Sequence, residues 1–83
     1  MEHIKWDYGV KGILDDKEKQ LCEDMDAICI GIIEKGKDIS VVISIEGGNQ
    51  FHIKDGKGSL VSYMTAEQCK YALKGIFAAI SYM

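Results

Sequence analysis

The chain reads as a small α+β domain, an antiparallel sheet of four or five strands with a C-terminal helix packed across one face. Three observations carry that reading. Apolar and polar residues alternate strictly through most of residues 27–54, the period of half-buried strands. Glycine-bearing turns punctuate the alternating runs. The last segment opens on a capping signature and then carries apolar residues at helical spacing. The predicted order is β-α-β-β-β-β-α, within one domain covering residues 1–83.

The first strand is read at Ile4, Trp6 and Tyr8, which alternate with His3, Lys5 and Asp7. It is expected at a sheet edge with a wet polar side. Gly9 and Gly12 then loosen the chain. Asp15 or Asp16 caps a short helix running to about Asp24. Its apolar marks are only Leu14, Leu21, Cys22 and Met25. So narrow a stripe predicts a surface helix that contributes little, with a loop as the alternative.

A meander follows. Ile28, Ile30 and Ile32 alternate with Ala27, Cys29 and Gly31, then Ile39, Val41, Ile43 and Ile45 with Ser40, Val42, Ser44 and Glu46. Phe51 and Ile53 alternate with Gln50, His52 and Lys54. Side chains alternate across a strand, so each branched set shares one face. Turns are placed at Lys35-Gly36-Lys37, Gly47-Gly48-Asn49 and Asp55-Gly56-Lys57-Gly58. The last turn leads into a short strand from Ser59 to Tyr63.

The final helix is predicted from about Ala66 to Tyr82. Thr65 followed by Gln68 forms a capping box, and Met64 and Cys69 occupy the positions of a hydrophobic staple. Ala66, Cys69, Leu73, Ile76, Phe77 and Ile80 make one stripe, the lid for the sheet. On nearly the opposite side fall Tyr71, Gly75, Ala78, Ala79 and Tyr82. A helix with two apolar faces touches something on both.

Composition narrows the function classes. The chain has 83 residues, 47% hydrophobic and 28% charged, in the range of globular proteins. A net charge of −3 argues against direct nucleic-acid binding. All 10 basic residues are lysine, so arginine forks to phosphate or guanine are excluded. The absence of arginine and proline, with abundant Ile and Lys, is the bias of an AT-rich bacterial or phage coding sequence. No apolar run is long enough to cross a membrane. Cys22, Cys29 and Cys69 lack metal-site spacing and read as reduced, buried thiols of a cytoplasmic protein.

No motif points to catalysis, a metal or a cofactor. His3 and His52 are the two histidines, neither at a zinc-ligand spacing from Cys, Asp or Glu. Gly56-Lys57-Gly58-Ser59 lacks the phosphate-loop spacing and joins two strands, so it reads as a turn. The expectation is therefore a non-catalytic binding module acting by protein–protein contact, a phage- or mobile-element-type inhibitor or regulator of a larger complex. Its anchors are Tyr71 and Tyr82, with Gly75, Ala78 and Ala79 allowing close approach. The partner is another protein, itself, or both, a twofold dimer being the simplest form. Coverage of this stripe by Trp6 or by the first helix is the competing expectation.

Three other features carry alternatives. Lys54, Lys57, Lys70 and Lys74 suit an anionic, nucleotide-like ligand held between protomers. Asp15, Asp16, Glu18, Glu23, Asp24 and Asp26 form an acidic surface, read as a docking surface, a mimic of nucleic-acid phosphates aimed at a basic partner groove, or a solvated face. Cys29, Gly31, Ser40, Val42 and Ser44 are expected to form a flat, small-residue sheet face.

Overall fold

In a computed structural model, which describes residues 2–7, 11–45 and 48–82, the elements are β1 (Ile4–Trp6), α1 (Asp16–Glu34), β2 (Ile39–Ser44), β3 (Gln50–Asp55), β4 (Leu60–Tyr63) and α2 (Ala66–Ser81). The expectations at Tyr8, Gly9, Glu46 and Gly47 lie outside the described residues. The α+β class holds, with four strands in the order β1-β2-β3-β4. The sheet is mixed: β1 lies at an edge and pairs parallel with β2, while β2, β3 and β4 form an antiparallel meander.

The parallel pair follows from the largest departure from expectation. Ile28, Ile30 and Ile32 are not a strand, and the first helix does not stop near Asp24. Both belong to α1, a helix of 19 residues. It carries the chain back across the sheet, so β2 enters in the direction of β1. The helical period was present beneath the alternation. Cys22, Met25, Cys29 and Ile32 recur at three- and four-residue spacing and are fully buried. Ile30 faces away from them and is 40% exposed. Tertiary burial of one face outweighs the weak helix preference of β-branched residues.

Both ends of α1 are chemically fixed. Asp15 accepts from the Glu18 amide at 2.7 Å, and the Glu18 carboxylate accepts from the Asp15 amide at 3.2 Å, a complete capping box. At the other end Gly36 has φ of +90°. Its amide donates to the Ile33 carbonyl at 2.9 Å, and the Lys37 amide donates to Ile32 at 3.4 Å. Gly36 therefore ends a helix in a Schellman motif and does not turn a hairpin.

The hairpin between β3 and β4 closes on the Asp55–Ser59 pair, whose backbone bond is 3.1 Å. Gly58, at φ of +85°, takes the left-handed position of this three-residue loop. The Asp55 carboxylate accepts from the amides of Lys57 and Ser59, both at 2.9 Å.

Helix α2 begins as expected: the Thr65 hydroxyl accepts from the Gln68 amide at 3.2 Å. The Gln68 side chain returns one residue earlier than the standard box, accepting from Met64. Met64 is 74% exposed and does not staple the fully buried Cys69.

Both helices cover one face of the sheet. Ile39, Val41, Ile43, Phe51 and Ile53 point into the core, which Met25, Ile32, Leu73 and the three cysteines complete. Helix α1 lies over β1 and β2, and α2 over β3 and β4. Lys17 pairs with Glu67, Asp24 with Lys70, and Gly31 approaches the Phe77 ring. These contacts advance in the same sense along both helices, so the helices run parallel. A Cβ at Gly31 would lie 2.9 Å from the Phe77 ring, which explains a glycine inside α1. Gly12 likewise serves packing as well as flexibility, since a Cβ there would lie 2.5 Å from Ile45 and 2.9 Å from Trp6.

Candidate interaction surface

The described residues leave nine large hydrophobic side chains exposed, and six of them follow one another on β4, α2 and their flanks: Leu60, Val61, Met64, Tyr71, Phe77 and Tyr82. This concentration has a structural cause. Val61 lies beside Ile53 on the inward face of the sheet, yet Val61 is 55% exposed while Ile53 is buried. Helix α2 lies over β3 and β4 but leaves Val61 open. A groove of about 200 Å³ opens at the end of the sheet where β2 and β4 begin, with Ile32, Ile39, Ile53, Val61 and Ile76 as its apolar lining and charge only at Lys37, Asp38 and Asp55.

The tyrosine stripe stands where the α2 pattern places it. Tyr71 is 68% and Tyr82 92% exposed, and Gly75, Ala78 and Ala79 are also exposed. Neither alternative cover reaches it. Trp6 belongs to β1, at the opposite edge of the sheet, and packs near Gly12. Helix α1 meets α2 through Phe77 and Lys70, on another side of that helix. A Cβ at Gly75 would meet nothing within 4 Å, so the monomer has no packing need for that glycine.

The acidic surface is largely consumed by local structure. Asp15 and Glu18 cap α1. The Asp24 carboxylate accepts from Lys70 Nζ at 2.9 Å, and Asp26 accepts from the His3 amide at 2.8 Å. The Lys70 hydrogen bond, joined by one from Gln20, holds the Asp24 carboxyl below its ordinary range. Asp16 and Glu23 remain exposed.

The four lysines proposed for an anion do not converge. Lys70 is tied to Asp24, and Lys74 lies 5.7 Å from the Tyr71 ring centre. Lys54 and Lys57 do meet, joined by Lys5 and His3, around a cleft of about 730 Å³. Asp38 and Asp55 line the same cleft and offset much of the charge.

The small-residue sheet face is reduced to Ser40, Val42 and Ser44, since Cys29 and Gly31 belong to α1. That face carries a serine–histidine row. His52 Nδ1 lies 2.8 Å from Ser62 Oγ, and its Nε2 lies 3.2 Å from Ser44 Oγ. Among the described residues no carboxylate hydrogen-bonds His52, so nothing orients a Ser–His pair for nucleophilic attack. The three cysteines are buried and free. Burial pushes the Cys22 thiol up to about 11, and those of Cys29 and Cys69 to about 12, which makes them poor nucleophiles. No group of three or more metal-ligating side chains converges among the described residues, and no described helix is long and apolar enough to cross a membrane.

The tyrosine stripe follows from the sequence, whereas the uncovered β4 was missed. The signal was available: residues 58–66, Gly58 to Ala66, contain no charged side chain, and Leu60-Val61 breaks the strand alternation. The chain matches no family model, no curated protein and no solved structure.

Proposed function

We propose that the protein is a non-catalytic, cytoplasmic binding module that works by protein–protein contact through the β4–α2 side. One observation carries this reading: Tyr71 and Tyr82 stand exposed on the outer face of α2, beside exposed Ala78 and Ala79 and a glycine that the packing of the monomer does not need. Contiguous exposed apolar surface is a mark of interaction sites. Tyrosines anchor such sites because the ring is apolar while the hydroxyl stays wet. Three buried free thiols fit a reducing compartment. A regulator or inhibitor of a larger assembly fits a small domain with this one apolar side.

The test is photo-crosslinking from residues 71 and 82, with Lys19 on the exposed side of α1 as control, in a lysate of the source cells. Cross-linked products from 71 and 82, and none from 19, are expected. Products from 19 alone would favour the acidic surface, and no product from any position would end the proposal.

The lysine cleft beside His3 supports a second reading, binding of a small anion. Three lysines surround it against two carboxylates. An anion at 100-fold excess over its dissociation constant would add about 2.7 kcal/mol to stability, and a thermal-shift screen with nucleotides and phosphorylated metabolites would show it.

A further inference from the structure

The free edge of β4 narrows the kind of partner, on the premise that the β4–α2 side is the interaction surface. The Asp55–Ser59 pair is hydrogen-bonded. Hydrogen-bonded and non-bonded pairs alternate in an antiparallel ladder. By that alternation the Ile53–Val61 and Phe51–Tyr63 pairs of the β3–β4 register are also bonded. Val61 and Tyr63 therefore turn their backbone groups toward β3, while Leu60 and Ser62 turn theirs outward, where β4 has no neighbouring strand among the described residues. What complements such an edge is another extended strand.

Edge strands are ordinarily guarded by lysine, proline, a bulge or extreme shortness. The β1 edge fits that rule, with three residues including Lys5. The β4 edge carries no lysine or proline, and residues 58–66 carry no charge at all.

We propose that β4 pairs antiparallel with the β4 of a second copy of this chain, across a twofold axis beside Val61, to make one continuous sheet. Three features favour a second copy over a foreign strand. The pairing sets Val61 against the second copy's Val61, and Leu60 against its Ser62, so no like charges oppose. The outward groups of Leu60 and Ser62 become mutual donors and acceptors. The helix layer is completed by the same operation. Ala72, Ile76 and Ala79 lie on the flank of α2 turned away from α1, at about 100° per residue. The second α2 lies along that flank, with Gly75 at its outer margin and Tyr71 and Tyr82 farther round the helix, on the face turned away from the sheet.

The test is the solution mass of the full chain by light scattering on a sizing column, at several concentrations. Three variants are compared with wild type: Ser62→Pro, Val61→Lys and the double variant Tyr71→Glu with Tyr82→Glu. Proline at 62 removes an outward N–H that the monomer does not use, which an edge strand tolerates. Lysine at 61 keeps every backbone group and sets two charges face to face across the axis. Circular dichroism checks that each variant is folded. Wild type is expected at twice 9.2 kDa, and both β4 variants at 9.2 kDa. A wild type that stays at 9.2 kDa up to its solubility limit overturns the twofold pairing, while crosslinks from 71 and 82 to a foreign protein would preserve the wider reading. A dimer broken by the tyrosine variant but by neither β4 variant also overturns strand pairing and preserves α2 as the contact. A dimer that resists all three overturns both.

Discussion

Replacing Gly75 with alanine separates what the folded monomer requires from what its surface does. Gly75 lies inside α2, exposed, and a methyl group there would touch nothing within 4 Å. Glycine costs a helix interior about 0.8–1.0 kcal/mol relative to alanine, because the unfolded chain gains backbone freedom. No clash offsets that gain at this position. Gly75→Ala should therefore stabilise the monomer by about 1 kcal/mol, which raises the melting temperature by about 4–8 °C in a domain of this size. Urea unfolding followed by circular dichroism, at a concentration low enough to hold the monomer, measures it. The same methyl group stands on the outer stripe of α2 between Tyr71 and Tyr82, so a partner seated on that stripe should bind less tightly while stability rises. A variant less stable than wild type at monomer concentration would refute the packing described for α2. A gain in stability with association unchanged would remove Gly75 from the contact.

Other outcomes follow from the core and from titration. Met25→Ala and Ile32→Ala should each cost about 2–5 kcal/mol, as deletions of fully buried side chains do. Ile30→Ala, at an exposed position, should cost under about 1 kcal/mol by urea melts. Equal losses at positions 30 and 32 would contradict the helical face. Native Cys22, Cys29 and Cys69 should react with a thiol reagent at pH 8 only as fast as the chain opens, and faster labelling would contradict their burial. Because folding raises these thiol pKa values, their contribution is complete below the ordinary 9.0 and is lost as pH rises toward about 11–12. Alkaline melts should therefore show stability falling from about pH 9 upward. Asp24 shifts the opposite way: its folded pKa lies below the ordinary 3.8, so its contribution is present above that pH and lost as pH falls through it. Wild type should exceed Asp24→Asn in stability at pH 6 and converge with it at pH 2, and a constant difference across that range would contradict the pairing with Lys70.

The parts of the fold legible in the sequence are those where local chemistry and burial agree. Ile39–Ser44 and Gln50–Asp55 alternate as strands and pack as strands, and Thr65 with Gln68 marks the start of α2. The misreading of Ile28, Ile30 and Ile32 has a physical source. A run of β-branched residues satisfies period two by composition, while the helical face is carried by Cys22, Met25 and Cys29, which a strand pattern treats as background. Gly36 suits a hairpin or a Schellman stop equally well, because both need positive φ. Only the capping box at Asp15 and Glu18, read together with Gly36, separates the two. The tyrosine stripe was legible because helix geometry alone places it. The groove was not, because its apolar lining is drawn from elements far apart in the chain, Ile32 of α1, Ile39 of β2, Ile53 of β3, Val61 of β4 and Ile76 of α2.

On the proposed function, β4 and α2 form a surface that is covered when the protein works. Amide hydrogen exchange by NMR at Leu60 and Ser62, followed against protein concentration, tests this most directly. Protection that rises with concentration at these two amides, while Val61 and Tyr63 stay protected throughout, is the predicted result. Fast exchange at Leu60 and Ser62 at every concentration, with or without a cross-linkable partner present, would contradict the claim.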